Sequence, residues 1–176
     1  MKAIGIVRRI DELGRIVIPK EIRRTMRIDS GDEMEFYLSD EGKIVLDKYS
    51  SLESREQAVM DCCNALAEDT NSKVIVTDRY KIVAESGEKV EMDSVLSRGF
   101  LDNLAKNGDM ILSGDKKLKI SEKDRYGYQN QGIFAVNRNG ILHGAVVVES
   151  NSDIRQDTVS KARLISRVIS ENIGEY

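Results

Sequence analysis

The sequence predicts an α+β fold in two parts, and three observations predict it. The first fifty residues alternate strand-like and turn-like stretches around one short helical segment. From about residue 53 the pattern runs helix, two strands, helix, further strands and a terminal helix, without the strict βα alternation of a parallel sheet. Between the two, Ser50 and Ser51 with Glu53 interrupt the hydrophobic pattern. A junction is expected there, giving domains at residues 1–50 and 51–176, the second including a linker helix at about 53–69.

In the first part, Ala3 to Ile10 reads as a strand, with Ile4, Ile6 and Ile10 on one face of the pleat and Val7 on the other. Asp11 to Gly14 is a turn, Gly14 being free to take a positive φ. Arg15 to Ile18 is a second strand. Pro19, the only proline in the chain, has no N–H to donate and suits the first turn of a helix over Lys20 to Arg27. Glu21 complements the positive end of that helix, and Ile22 and Met26 make its inward stripe. A hairpin follows, Glu33 to Leu38 and Lys43 to Asp47 around Ser39-Asp40-Glu41-Gly42. The result is a ββαββ unit of about fifty residues, too small to bury a secure core unless a disulfide, a metal or a partner helps. It contains neither cysteine nor a metal-ligand cluster, so association into a dimer is expected.

In the second part, residues 53–69 form a helix whose apolar face is Ala58, Val59, Cys62, Ala65 and Leu66. Lys73–Thr77 and Lys81–Ala84 are strands around a turn at Asp78-Arg79-Tyr80. A helix spans about Ser94 to Lys106, with Val95, Leu96, Leu101 and Leu104 on its apolar side. Met110–Leu112 and Leu118–Ile120 are short strand candidates, and the polar run 121–131 is a loop. Gly132–Val136 and Ile141–Glu149 form a hairpin through Asn137-Arg138-Asn139-Gly140. The chain ends in a helix from about Ile154, with Val159, Ala162, Ile165, Val168, Ile169 and Ile173 on a wide apolar face.

Composition removes several function classes. No apolar run approaches the roughly 20 residues that span a bilayer, and no signal-peptide core opens the chain. A cytoplasmic protein is expected. Cys62 and Cys63 are adjacent, so they read as reduced, largely buried thiols rather than a disulfide or a structural zinc site. With one histidine, His143, and no paired nucleophile and base, an enzyme is not expected. No cofactor or metal is expected either, and His143 reads as a hairpin residue.

Charge is the informative feature. The chain carries 27 basic and 30 acidic side chains, yet residues 1–27 hold eight basic groups against three acidic, and residues 28–50 hold two against seven. One face that meets an anion and another that repels it follow from such polarity. Lys20, Arg23, Arg24 and Arg27 recur at i, i+3, i+4 and i+7, a cationic stripe opposite Ile22 and Met26. Arg8 and Arg9 close the first strand and Arg15 opens the second. Arginine outnumbers lysine six to two in this segment, and its planar fork suits phosphates and guanine edges. Double-stranded DNA is the expected partner.

The stretch GIVRRIDELGRIVIPKEIRRTMRI closely resembles the N-terminal domain of the AbrB/SpoVT family of bacterial transition-state and sporulation regulators. The resemblance covers about the first 50 residues. It implies a swapped-hairpin fold, in which two chains interleave into one dimeric barrel that binds DNA, partly through DNA shape. It also implies that Arg8, Arg15, Arg23 and Arg24 contact DNA. Arg9 occupies a place that is basic in relatives, and Lys20 and Arg27 join from the helical stripe. The order of elements in the second part, and the segment GIFAVNRNGILHGAVVVES, resemble a GAF domain. That resemblance implies a sensor module, with the dimer extended to a tetramer through the helix at 53–69 and the terminal helix. Arg125, Tyr126 and Tyr128 could line a pocket for an unidentified small molecule.

The expectation is therefore a cytoplasmic, nucleoid-associated transcription regulator of sporulation genes. One alternative is an antitoxin, because the swapped-hairpin fold also occurs in proteins that bind both DNA and a toxin. Such proteins end in a flexible partner-wrapping tail, whereas the second half here has a core pattern of its own.

Overall fold

The computed structural model describes residues 5–86, 94–122 and 127–173. The chain divides into two compact units, Met1–Tyr49 and Ser50–Tyr176.

The first unit contains helix α1 (Lys20–Met26) and the antiparallel hairpin β1 (Met34–Leu38) and β2 (Ile44–Lys48). Pro19 precedes the helix with φ −57° and ψ 145°, and its carbonyl accepts the Arg23 N–H at 3.0 Å, so it is the N-cap rather than the first helical residue. The helix stops at Arg27, whose φ of 52° is left-handed, and the Ile28 N–H closes onto the Arg23 carbonyl at 2.8 Å.

Two expectations for this unit are corrected. Residues 5–10 and 15–18 form no strand ladder in the single chain, although the turn between them is built as expected. Asp11 N–H donates to the Arg15 carbonyl at 3.0 Å, and Gly14 sits at φ 76°. (Ala3 and Ile4 lie outside the described residues.) A strand exists only through a neighbour that completes its hydrogen bonds, and local patterning cannot supply one. The inward stripe is likewise incomplete: Ile22 is half-buried and Met26 is 54% exposed.

The second unit is built on an antiparallel five-stranded sheet in the order β4-β3-β7-β6-β5. Its strands are β3 (Lys73–Thr77), β4 (Ile82–Glu85), β5 (Met110–Ser113), β6 (Asn130–Arg138) and β7 (Ile141–Ser150). The β6–β7 turn has Asn139 at φ 51° and Gly140 at φ 79°, the paired positive φ of a tight hairpin. Strand alternation feeds two cores. Val74, Val76, Phe134, Val136, Val146 and Val148 meet α2 (Glu56–Thr70) and α4 (Gln156–Glu171) on one face. Ile75, Ile133, Ala145 and Val147 meet Phe100 and Leu104 of α3 (Arg98–Asn107) on the other. Close approach of strands demands glycine at Gly144, where a Cβ would fall 1.9 Å from the Thr77 carbonyl oxygen. No helix among the described residues is long and apolar enough to cross a membrane.

Here too the structure corrects the pattern. On α2 it is Cys63, with Val59 and Leu66, that is buried, while Ala58 and Ala65 are exposed and Cys62 is half-buried. One residue rotates a helix face by about 100°, so adjacent cysteines compete for one position. Helix α3 begins at Arg98 rather than near Ser94, because the Ser97 hydroxyl accepts the Phe100 N–H at 3.1 Å and caps it. Leu118–Ile120 is not a strand. Its backbone is satisfied otherwise: the Gln131 side-chain amide bonds both the N–H and the carbonyl of Leu118 at 2.9 Å, and Ser97 N–H donates to the Ile120 carbonyl at 2.8 Å. Asn130 and Gln131, expected in a loop, therefore open β6.

Candidate nucleic-acid interface

Arg8, Arg9, Arg15, Lys20, Arg23 and Arg24 are all exposed, and Arg27 is half-buried. They belong to three local elements. Arg8 and Arg9 lie in the extended segment before the turn, and Arg8 donates to the Val7 carbonyl at 3.1 Å. Arg15 is placed by the turn. Asp11 accepts its backbone N–H at 2.9 Å and its guanidinium at 2.8 Å, together with the Leu13 N–H at 3.0 Å. These bonds, the Arg15 backbone N–H foremost and its guanidinium next, hold the Asp11 carboxyl below the usual carboxylate range. One acid thus shapes the turn and aims the arginine without burying it.

Lys20, Arg23 and Arg24 share the short helix α1, with Arg23 and Arg24 in the last turn, where a cation complements the helix end. Arg27 departs from the stripe. Its left-handed backbone takes it out of helical register, and its carbonyl accepts the Lys48 ammonium. Lys48 also pairs with Asp32 at 3.1 Å, both side chains being largely buried. The Lys48 bond to Arg27 anchors the end of α1 to β2, and the sequence carried no local signal for it or for the ion pair: Lys48 and Asp32 are 16 residues apart and neither belongs to a periodic pattern.

The expected ligand residues of the second unit divide. Tyr128 is half-buried, and Arg125 and Tyr126 lie outside the described residues. Among the described residues no group of three or more His, Cys, Asp or Glu side chains could hold a metal ion. His143 is half-buried, with Nδ1 3.2 Å from the Ser51 hydroxyl. A groove runs between α2 and α4, lined by Arg55, Ala58, Cys62, Val168 and Ile173 among others.

Comparison with known proteins separates the two units. The family described as "Antidote-toxin recognition MazE, bacterial antitoxin" matches residues 7–54. Stage V sporulation protein T of Bacillus subtilis (strain 168) is 34% identical over 167 residues, covering 92% of each chain. The transition state regulatory protein AbrB of the same organism is 59% identical over 49 residues, which is 28% of this chain and 50% of that protein. Among solved structures, the cofactor-binding GAF domain of the nutrient sensor CodY from Clostridium difficile superposes with a TM-score of 0.51. It is 16% identical and covers 72% of this chain and 99% of that one, a likeness of fold alone.

Proposed function

The chain belongs to the family of stage V sporulation protein T, and from that premise we propose that its two units divide one task, DNA binding in the first and control of it in the second. It is a DNA-binding transcription regulator of sporulation, with an AbrB-type N-terminal domain followed by a domain of GAF fold. The observation that carries the reading is the concentration of exposed guanidinium in the unit that matches AbrB. Arg15 is held out on its turn, and Arg23 and Arg24 stand on one exposed helical turn. Arg8, Arg15, Arg23 and Arg24 are the proposed DNA contacts, with Arg9, Lys20 and Arg27 adding positive potential around them.

Self-association is part of the same proposal. Val7, Ile10, Leu13, Val17 and Leu38 are exposed in one chain, and a second copy that interleaves its hairpin would cover them and supply the missing strand partners. The groove between α2 and α4 supports a further pairing of dimers into a tetramer. The protein would act in the cytoplasm, on the nucleoid. A small-molecule ligand near Tyr128, and regulation without catalysis, complete the reading. Antitoxin families share the N-terminal match, but the relative that spans both units is a sporulation protein.

The test is binding of the intact protein to an A·T-rich duplex across a range of salt. Arg23→Ala and Arg24→Ala are each expected to weaken binding about tenfold or more and to lower the salt slope by about one. Unchanged affinity and slope in both variants would remove α1 from the interface.

A further inference from the structure

The four residues that open the second unit are each held by a different contact. Ser50 is buried, with its hydroxyl beside the Asp78 carboxyl. The Ser51 hydroxyl lies 3.2 Å from His143 Nδ1. Leu52 is buried in the core with Val59 and Val74. Glu53 pairs with the Lys81 ammonium at 2.9 Å. Two of the four contacts therefore come from the turn between β3 and β4, and a third from the start of β7.

That turn is built around its own grip. Asp78 Oδ1 accepts the N–H groups of Tyr80 and Lys81 at 2.5 and 2.6 Å, so one carboxylate folds the turn beside Ser50, with its Oδ2 buried and making no hydrogen bond. Asp78 is only 2% exposed. Aspartates that merely shape surface turns remain solvated, and burying one is costly unless it is bonded. The start of β7 is pressed against the same place, since Gly144 has no room for a Cβ beside Thr77. On its far side the turn is tied to residues 94–96. Leu96 N–H donates to the Tyr80 carbonyl at 2.9 Å and Ile82 N–H to the Ser94 carbonyl at 3.1 Å, while Leu96 pairs with Ser121. Hydrogen bonds thus run from Ser121, where the polar 121–131 segment begins, through Leu96 to the turn, and the Lys81–Glu53 pair links the turn to the start of the second unit.

We propose that Asp78 and Lys81 are positioning residues for DNA binding: they clasp Ser50–Glu53 to the sheet and so fix the covalent root of the arginine-bearing unit, which ends one residue earlier at Tyr49. The inference rests on the DNA-binding reading above. Its physical content is preorganisation. Loosening the root enlarges the volume that linked DNA-binding units explore, which lowers their effective concentration at a duplex without altering any DNA contact. A shift at the Leu96–Ser121 bridge reaches the root through the same turn, because Asp78 shapes the turn that carries Lys81 to Glu53.

The test uses the intact protein with Lys81→Ala, Asp78→Ala and the conservative Lys81→Arg and Asp78→Asn. Hydrogen exchange reads the clasp directly. The amides of Glu53, Ser54 and Arg55 bond to Ser50 Oγ, the Ser50 carbonyl and the Leu52 carbonyl, and they should exchange about tenfold faster in the alanine variants while the amides of α2 stay protected. Affinity for an A·T-rich duplex should fall about threefold to tenfold with an unchanged salt slope, and the conservative variants should restore both readouts. Lys81→Ala removes a partly exposed pair and keeps the test sound should Asp78→Ala fail to fold. Faster exchange with unchanged affinity would make the clasp merely structural and overturn the inference, as would unchanged exchange. If the wild-type protein binds no duplex, the DNA-binding reading fails first and the inference falls with it.

Discussion

Val7, Leu13 and Leu38 in the first unit are 85%, 75% and 82% exposed, whereas Val74, Phe134 and Val146 in the second are fully buried. The residue types are alike, and what differs is whether the chain contains the surface that should cover them. In the second unit every strand meets a helix or another strand of the same chain, and the two faces of one sheet make two cores. In the first, α1 buries no residue and the hairpin β1–β2 leaves Phe36 and Ile44 exposed. A hairpin standing alone is marginal in water. The comparison teaches that the second unit draws its stability from within and the first must draw its own from association, so the two should respond differently to dilution and to core mutations.

The largest expected effect breaks the comparison on the stable side. Phe134→Ala, deep in the second unit's core, should cost about 3–5 kcal/mol in urea unfolding. The unfolding midpoint of the first unit should instead fall on dilution, as for any fold coupled to assembly. A concentration-independent transition for residues 1–49 would overturn the claim that this unit needs a partner.

A smaller effect sharpens the comparison at Asp78, a buried carboxyl with no counterpart in the first unit's exposed turn acid, Asp11. Burial pushes Asp78 above the usual carboxylate range, against the Lys81 and Tyr80 N–H groups and the Ser50 hydroxyl, which act to lower it. The folded state therefore holds its proton to higher pH than the unfolded chain, and the stability that this proton contributes is lost as pH rises through the raised value. Asp78→Asn keeps an oxygen for the turn and does not titrate. It should match wild type near pH 4 and exceed it near pH 7 in urea unfolding. An equal gap at both pH values would mean that Asp78 ionises as freely as an exposed acid.

The same contrast explains what the sequence let one read. Alternation at Val74–Thr77 and Ala145–Glu149, and the Asn139-Gly140 turn, are local patterns with local consequences, and the sheet was legible from them. The arginines were legible as a charged segment, and the family match over residues 7–54 spans them. The first two strands depend on a neighbour that no window of sequence displays. Residues 118–120 look like a strand, but the Gln131 amide takes the hydrogen bonds that a ladder would use. Arg27 fits the helical spacing, yet the helix ends beneath it in a left-handed cap without a glycine to announce it. The Lys48–Asp32 pair and the contacts around Ser50 are long-range side-chain matters, invisible to periodicity.

The adjacent cysteines have a practical consequence. Burial pushes the Cys63 thiol up to about 12, and its sulfur donates to the Val74 carbonyl at 3.3 Å, so it holds almost no thiolate at neutral pH. Cys62, also raised by burial but only half-buried, opens into the groove between α2 and α4. A maleimide dye should therefore attach to Cys62 and leave Cys63 untouched. Because Cys62 lines the face proposed for tetramer formation, its rate of labelling should fall as the protein is concentrated, and it reports assembly in the unmutated protein.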